Sequence, residues 1–229
     1  MKIVCLSDTH TLHDHVKVPM GDVLVHAGDM TGRGEDKDLH AFAKWLASQP
    51  HEHKLVICGN HEVRHDGDVE FHRNLFESYG NGIQFIHHKV VEIDGIKFYG
   101  ESRTPVFGTW GWMYEPGKDA AEVWQELPED IDVLVCHGPP FGILDVCPDY
   151  FNRHERRLLH VGCPALATRL EEVKTKWVVC GHIHFSHGAS RTSYGTTVVN
   201  ASVCTEQYNP LNPPLVIDTY ENSVSTEGY

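Results

Sequence analysis

The chain has 229 residues, 41% of them hydrophobic and 22% charged, with a formal net charge of −13. That length supports one well-buried domain over residues 1–229, and no apolar run nears the roughly 20 residues needed to cross a bilayer. The acidic balance argues against charge-driven binding to an extended nucleic acid, which needs clustered Lys and Arg; a bound metal can still reverse the field locally for a small anion. The chain begins with a strand-like run, KIVCLSDTH, that has no apolar stretch of leader length, so the expected location is cytoplasmic. A second run, DVLVHAGDM, follows. Next comes DKDLHAFAKWLASQP, where Leu39, Phe42, Ala43 and Leu46 keep helical spacing and Pro50 marks the stop. The run KLVICGNHE reads as a third strand over Leu55–Cys58, and DVEFHRNLFESYG as a second helix closed by Gly80. VVEIDGIKFYG is a hairpin turning at Asp94-Gly95. DVLVCHGPP is a fourth strand of the buried kind. CPDYFNRHERRLLHVGCP is irregular and reads as a surface insertion. PALATRLEEVK is a third helix, with Pro164 at its first position and Leu166, Leu170 and Val173 on one face. WVVCGHIH is a fifth buried strand, and TTVVN and PLVIDTY are late strands.

The five buried-type strands share one feature. Each is short, continuous and rich in β-branched residues, as in sheets covered on both faces, and each ends in glycine or a side chain able to hold a metal. Strands alternating with helices point to a mixed sheet system covered by helices. In open α/β sheets ligands bind at the carboxyl ends of strands. That crevice would collect Asp8, His10, Asp29, Asn60, His137, His182 and His184: two carboxylates, one amide and four imidazoles. Oxygen and nitrogen donors without thiolate suit Mn, Fe, Zn or Ni rather than a structural Cys-rich zinc, and two Mn²⁺ ions are the expected cofactor. Seven ligands exceed what one catalytic ion with an open position takes. They suit two ions about 3.5–4 Å apart sharing a carboxylate, the arrangement that hydrolyses phosphate esters. Gly28, Gly59 and Gly181 each directly precede one of these residues, where a missing Cβ lets the backbone turn beside the ions.

Asp8-x-His10, Gly28-Asp29, Gly59-Asn60-His61-Glu62, His137 and Gly181-His182-x-His184 resemble the motif series of the calcineurin-like metallophosphoesterases. GDVLVHAGD, CHGPPFGILD, FYGESRTPVFGTWGW, VGCPAL and NASVCTEQYNPLNPP are similar to one branch, the metallophosphoesterase-domain-containing family of small phosphodiesterases. The likeness spans nearly the whole chain. It implies a four-layer α/β/β/α sandwich of two mixed β-sheets with a dimetal site at the strand carboxyl ends. It implies a first ion on Asp8, His10, Asp29 and His184, and a second on Asp29, Asn60, His137 and His182, with Asp29 as the bridge. Some animal members carry Gly where this chain has His182. Asn60 and His61 would meet the substrate phosphate, and His61, holding no ion, would be the catalytic group that protonates the leaving oxygen or stabilises its charge.

The expected activity is metal-dependent hydrolysis of small phosphodiesters, with cyclic nucleotides or related esters as first candidates, by attack of a metal-bound hydroxide. The competing readings are a phosphomonoesterase or nuclease of the same chemistry and, more remotely, a non-enzymatic metal-binding scaffold. The rest of the polar inventory carries less. His26 reads as a packed core residue, His13 and His15 as solvated near the site mouth, and Arg33 as a minor candidate for phosphate contact. Arg153, Arg156 and Arg157 read as a solvated basic run, Trp110 and Trp112 as core, Asn200 as a neighbour of the ligands, and Glu62 as a support for His61. The seven cysteines lack C-x-x-C spacing and read as reduced thiols, those at 5, 58, 136 and 180 buried.

Overall fold

The computed structural model describes residues 1–149, 157–173 and 175–226. Two six-stranded sheets make its centre. The first runs β16 (Ser223–Ser225), β15 (Leu215–Asp218), β1 (Lys2–Leu6), β2 (Val23–His26), β3 (His53–Val56), β4 (Ile83–Phe85). The second runs β13 (Gly188–Arg191), β14 (Thr197–Asn200), β12 (Trp177–Cys180), β9 (Val133–Cys136), β6 (Ile96–Glu101), β5 (Val90–Ile93). Strands β1 to β4 are mutually parallel, as are β14, β12, β9 and β6, and the antiparallel strands lie at the margins. Among the described residues there are also two short two-stranded pairs: β7 (Thr104–Pro105) with β8 (Met113–Tyr114), and β10 (Val146–Pro148) with β11 (Leu158–His160).

Side-chain alternation along the strands builds the layers. Ile3 and Cys5 of β1 face Val133, Val135 and Val179 of the second sheet in a shared inner core. Val4 and Leu6 point the other way, onto Leu39, Phe42 and Leu46 of α1 (Asp36–Ser48) and Phe76 of α2 (Val69–Ser78). On the far side Leu134, Cys136 and Val178 meet Val123 and Trp124 of α3 (Lys118–Gln125) and Leu166 and Leu170 of α4 (Pro164–Val173). The result is helix, sheet, sheet, helix, as the resemblance implied. The helical spacing in α1 buries the four residues that the sequence singled out, and Asp68 caps α2 by accepting from Phe71 N at 2.9 Å.

Three details depart from the sequence reading. The ladder of β3 lies two residues earlier than expected: it ends at Val56, and Ile57 and Cys58 continue as buried backbone. Helix α3 has no clear sequence signature, because its buried Ala120, Val123 and Trp124 sit among charges in only eight residues. The irregular segment contributes β10 and β11, while Arg153 and Arg156 of its basic run lie outside the described residues. All seven thiols are free, and all but Cys147 are buried. Among the described residues no helix is long and apolar enough to cross a membrane.

Several histidines are structural. His72 lies in α2 among Phe76, Phe85 and Trp112, its Nδ1 on the Asp68 carbonyl at 2.9 Å. Burial is the main cause that lowers its pKa from 6.5 to about 4. Between those values the unfolded chain binds the extra proton, so stability falls as pH drops from 6.5 toward 4. At pH 5 this one group should account for about 2 kcal/mol of lost stability. Urea midpoints at pH 7 and pH 5 should therefore differ less in His72→Phe than in the parent.

Candidate metal centre

The carboxyl ends of β1, β2, β9, β12 and β14 meet at one edge, where the two sheets touch. Asp8 N donates to Gly28 O at 2.9 Å, Gly181 N to His137 O at 2.9 Å, and Val203 N to Ser7 O at 3.0 Å. Ser7 and Ser202 form a parallel bridge across the gap. The backbone turns abruptly there. Asp8, His10, Asp29 and His182 all adopt left-handed φ values of 56°, 42°, 55° and 68°, a conformation that costs non-glycine residues of order 1 kcal/mol or more each. Two of the glycines serve close approach rather than a turn. A Cβ on Gly59 would lie 2.4 Å from Asp29 Oδ1, and one on Gly181 would lie 2.1 Å from Asp8 Oδ2.

All seven residues singled out as ligands converge at this edge. Asp8, His10 and His184 form one compact group, and Asp29, His137 and His182 form another. Asn60 joins the second through Oδ1, 2.9 Å from His137 Nε2. A third overlapping group, His10, Asp29 and His61, brings His61 to the same place. The centre is buried: His10 and His61 are 8% exposed, and Asp8 and His137 are fully enclosed.

Ring orientation shows what the cluster is built for. Nδ1 of His10, His61, His137 and His184 faces the carbonyl of Thr31, Gly32, Ala27 and Thr205 respectively, at 3.3, 2.8, 2.8 and 3.0 Å. A carbonyl only accepts, so each Nδ1 carries the hydrogen and each neutral Nε2 presents a lone pair. Those lone pairs face one another and the carboxylates. Nε2 of His10 and His184 are 3.2 Å apart, His184 Nε2 is 3.2 Å from Asp8 Oδ1, and His137 Nε2 is 3.3 Å from Asp29 Oδ2. Acceptors crowded against acceptors need positive charge between them. Without a cation, protons must supply it. Burial opposes charge on His137, but Asp29, Asp8 and the Ala27 carbonyl outweigh it and raise the ring to about 9. Burial likewise opposes ionisation of Asp29 and Asp8, yet the surrounding imidazoles hold both carboxyls well below the usual range. His10 and His182 are driven the other way, to about 4 and about 3, chiefly by burial. This donor set fits divalent ions: metal binding would replace those protons, and the backbone carbonyls that fix the tautomers are the usual outer partners of ligating histidines.

Neighbouring groups have definite tasks. Glu62 does not support the His61 side chain, contrary to the sequence reading. Its carboxylate accepts from Gly59 N, Asp29 N, Thr31 N and Thr31 Oγ1 at 2.8–3.1 Å, tying the turns after β2 and β3 together. His61 is held instead by its own N–H on Asp29 Oδ1, by Gly32 O, and by stacking on Trp110 with ring centroids 4.2 Å apart. Trp110 thus belongs to the site, while Trp112 is core at 2% exposure. Arg33 is exposed, with its guanidinium 5.1 Å from the Trp110 ring centre. His13 is buried against Phe42 and Trp45 rather than solvated, while His15 is exposed. His26 is core as expected, touching Thr9 Oγ1 at 3.1 Å. Asn200 orients Ser202, whose hydroxyl donates to Asp8 Oδ2 at 2.9 Å. Tyr208, not singled out in the sequence, lies against His10 and His184 at 4.7 and 5.3 Å. A second candidate group, His87, His88 and Glu101, is already filled by Arg103, which donates to Glu101 through its backbone N, Nε and an Nη at 2.8–3.0 Å.

A two-sheet sandwich with clustered carboxylates and imidazoles at its strand ends is the architecture of metal-dependent phosphoesterases. Residues 1–186 match the sequence profile of the calcineurin-like phosphoesterase family, and the chain belongs to that family of phosphoester hydrolases. It is 37% identical over 239 residues to human metallophosphoesterase domain-containing protein 1, covering 95% of this chain and 70% of that one. A UPF0046 protein of Caenorhabditis elegans is 34% identical over 226 residues, covering 94% and 74% of the two chains. Among solved structures, TT1561 of Thermus thermophilus shares the fold with a TM-score of 0.59 at 13% identity, covering 98% of this chain and 96% of that one.

Proposed function

We propose that this chain is a phosphodiesterase for small substrates, working through two divalent ions held by residues of both sheets. One ion is assigned to Asp8, His10, Asp29 and His184, and the other to Asp29, Asn60, His137 and His182, with Asp29 shared. The observation that carries this reading is the set of three proposed imidazole ligands, His10, His137 and His184, whose Nδ1 atoms are fixed on carbonyls while their Nε2 atoms face the two carboxylates. The oxygen and nitrogen donor set suits Mn²⁺, Fe, Zn or Ni, and Mn²⁺ is the ion proposed here. When bound, the ions supply a nucleophile from water at neutral pH and offset the phosphate charge.

The chain's own residues do the rest. Asn60 and His61 both line the cavity beside the cluster, about 930 Å³ in volume, where the phosphate would sit. His61 Nδ1 is committed to Gly32 O, so Nε2 would take a proton from solvent first and, as imidazolium, pass it to the leaving oxygen. Trp110 keeps the ring plane fixed. Cyclic nucleotides are the first candidate substrates: the cavity admits a nucleoside and offers Trp110 as an aromatic face. Residues 1–229 are read as one domain, and seven unpaired thiols suit the cytoplasm.

The test is turnover by the Mn²⁺-loaded protein against cyclic nucleotides, nucleoside monophosphates and aryl phosphodiesters, with exhaustive chelation as control. Undiminished hydrolysis after chelation would sink the scheme. Two-ion occupancy has its own test in His182→Gly. His182 sits at φ 68°, which glycine adopts freely, so the variant should fold and gain rather than lose backbone stability. Calorimetric titration should show two tight sites in the parent, and one tight and one at least about 10-fold weaker in the variant. Two unchanged sites would remove His182 from the ligand set.

A further inference from the structure

Eleven large apolar side chains are exposed among the described residues. Six of them, Val106, Phe107, Phe141, Val161, Phe185 and Tyr208, line the cavity that opens from the metal cluster. The other five, Met20, Val90, Leu158, Leu211 and Tyr220, do not. Scattered exposed apolar residues need no explanation, but a concentration of them in one concavity marks a binding surface. These six come from five separate segments, around residues 106, 141, 161, 185 and 208, so the arrangement arises only on folding. Phe107 packs beside His182 with ring centroids 4.9 Å apart, at the cluster end. Phe141 lies 5.7 Å from the His160 ring. Trp110 adds an indole that touches both Arg33 and His61. The described lining contains no Lys or Arg, and its acidic members are Asp29 and Glu206.

We infer that this cavity binds a broad apolar group, an aromatic ring, carried by the phosphate that the metal cluster holds; the enzyme would thus select phosphate esters with an aryl-type arm over those with small arms. The inference rests on the phosphodiesterase reading of the site and adds what lies beyond the phosphorus. The physical basis is area. An aromatic ring offers several more carbons to the apolar lining than a methyl group does. At about 25 cal/mol per Å² of buried apolar surface, the gain should be roughly 10- to 50-fold in affinity.

The test uses two probes with one phosphorus group and one arm each. Phenylphosphonate and methylphosphonate are titrated calorimetrically into the Mn²⁺-loaded protein, with turnover of bis(p-nitrophenyl) phosphate measured in parallel. Phenylphosphonate should bind at least about 10-fold more tightly. Phe141→Ser, a change at a half-exposed residue that touches no proposed ligand, should cut that ratio at least about threefold. Equal affinity of the two probes in the parent overturns the inference, as does absence of binding by either while the diester is hydrolysed. A ratio unchanged in both Phe141→Ser and Phe107→Ser overturns it too, even if the parent prefers the phenyl probe. Failure of both probes to bind, with no diester hydrolysis, takes down the phosphodiesterase reading and this inference with it.

Discussion

Asp29→Asn should yield a folded protein that has lost most of its divalent metal and more than about 100-fold of its turnover. The folded state survives because Asn can keep its Oδ1 where Asp29 Oδ1 accepts the His61 N–H at 2.8 Å. The other position changes sign. Asp29 Oδ2 faces the His137 Nε2 lone pair at 3.3 Å, and an amide group there would donate a hydrogen to it. The imidazole would then be satisfied by a proton that no ion can displace cheaply, and the negative charge proposed to bridge the two ions would be gone. Elemental analysis should show clearly less than two ions per chain. Full stoichiometry with normal turnover would remove Asp29 as the bridge.

His61→Ala should behave differently, keeping both ions while slowing turnover by about 10²–10⁴, the range of a lost general acid. His61 is enclosed but not essential to the carboxylate geometry: its backbone N–H, which the substitution retains, is what holds Asp29 Oδ1. The loss should shrink for esters of p-nitrophenol, whose leaving oxygen needs little protonation, and grow for alkyl leaving groups. A loss equal across leaving groups would assign His61 to phosphate binding or charge stabilisation. Loss of metal would instead place it among the ligands, as its proximity to His10 and Asp29 permits.

The layered architecture is legible in the sequence because alternation and periodicity are local properties. Leu39, Phe42, Ala43 and Leu46 announce α1 through spacing alone, and Asp94-Gly95 announces a tight turn, where the structure places left-handed φ values of 48° and 77°. The seven polar residues at strand ends are legible for a related reason: a hydrophobic strand fixes where its last side chains go. What cannot be read depends on contacts between distant segments. His13 and His15 look alike in sequence, yet Phe42 and Trp45 from α1 bury one and leave the other exposed. Glu62 adjoins His61 in the chain, but its lone pairs go to the turn about 30 residues earlier. Tyr208 and Phe107 lie within stretches that resemble the family, but nothing in those stretches singles them out, and only the folded chain brings them to the imidazoles. The left-handed backbone at Asp8, His10, Asp29 and His182 breaks local preference outright, as expected where function rather than propensity sets the conformation.

The division of the cluster between the sheets has a mechanical meaning. Asp8, His10, Asp29 and Asn60 follow strands of one sheet, and His137, His182 and His184 follow strands of the other. Elsewhere the sheets meet through apolar contact, which resists sliding only weakly because it has no direction. At this edge, any ion with ligands from both sides acts as a rivet through the seam. Shear between the layers would then pull directly on coordination bonds. With the proposed ions bound, the protein's resistance to heat would become a function of free metal concentration, rising as RT ln(1 + [M]/Kd) for each site absent from the unfolded chain. Starving the protein of metal would thus loosen the sandwich along the plane that holds the ligands together, and the same shortage that stops turnover would expose the inner core.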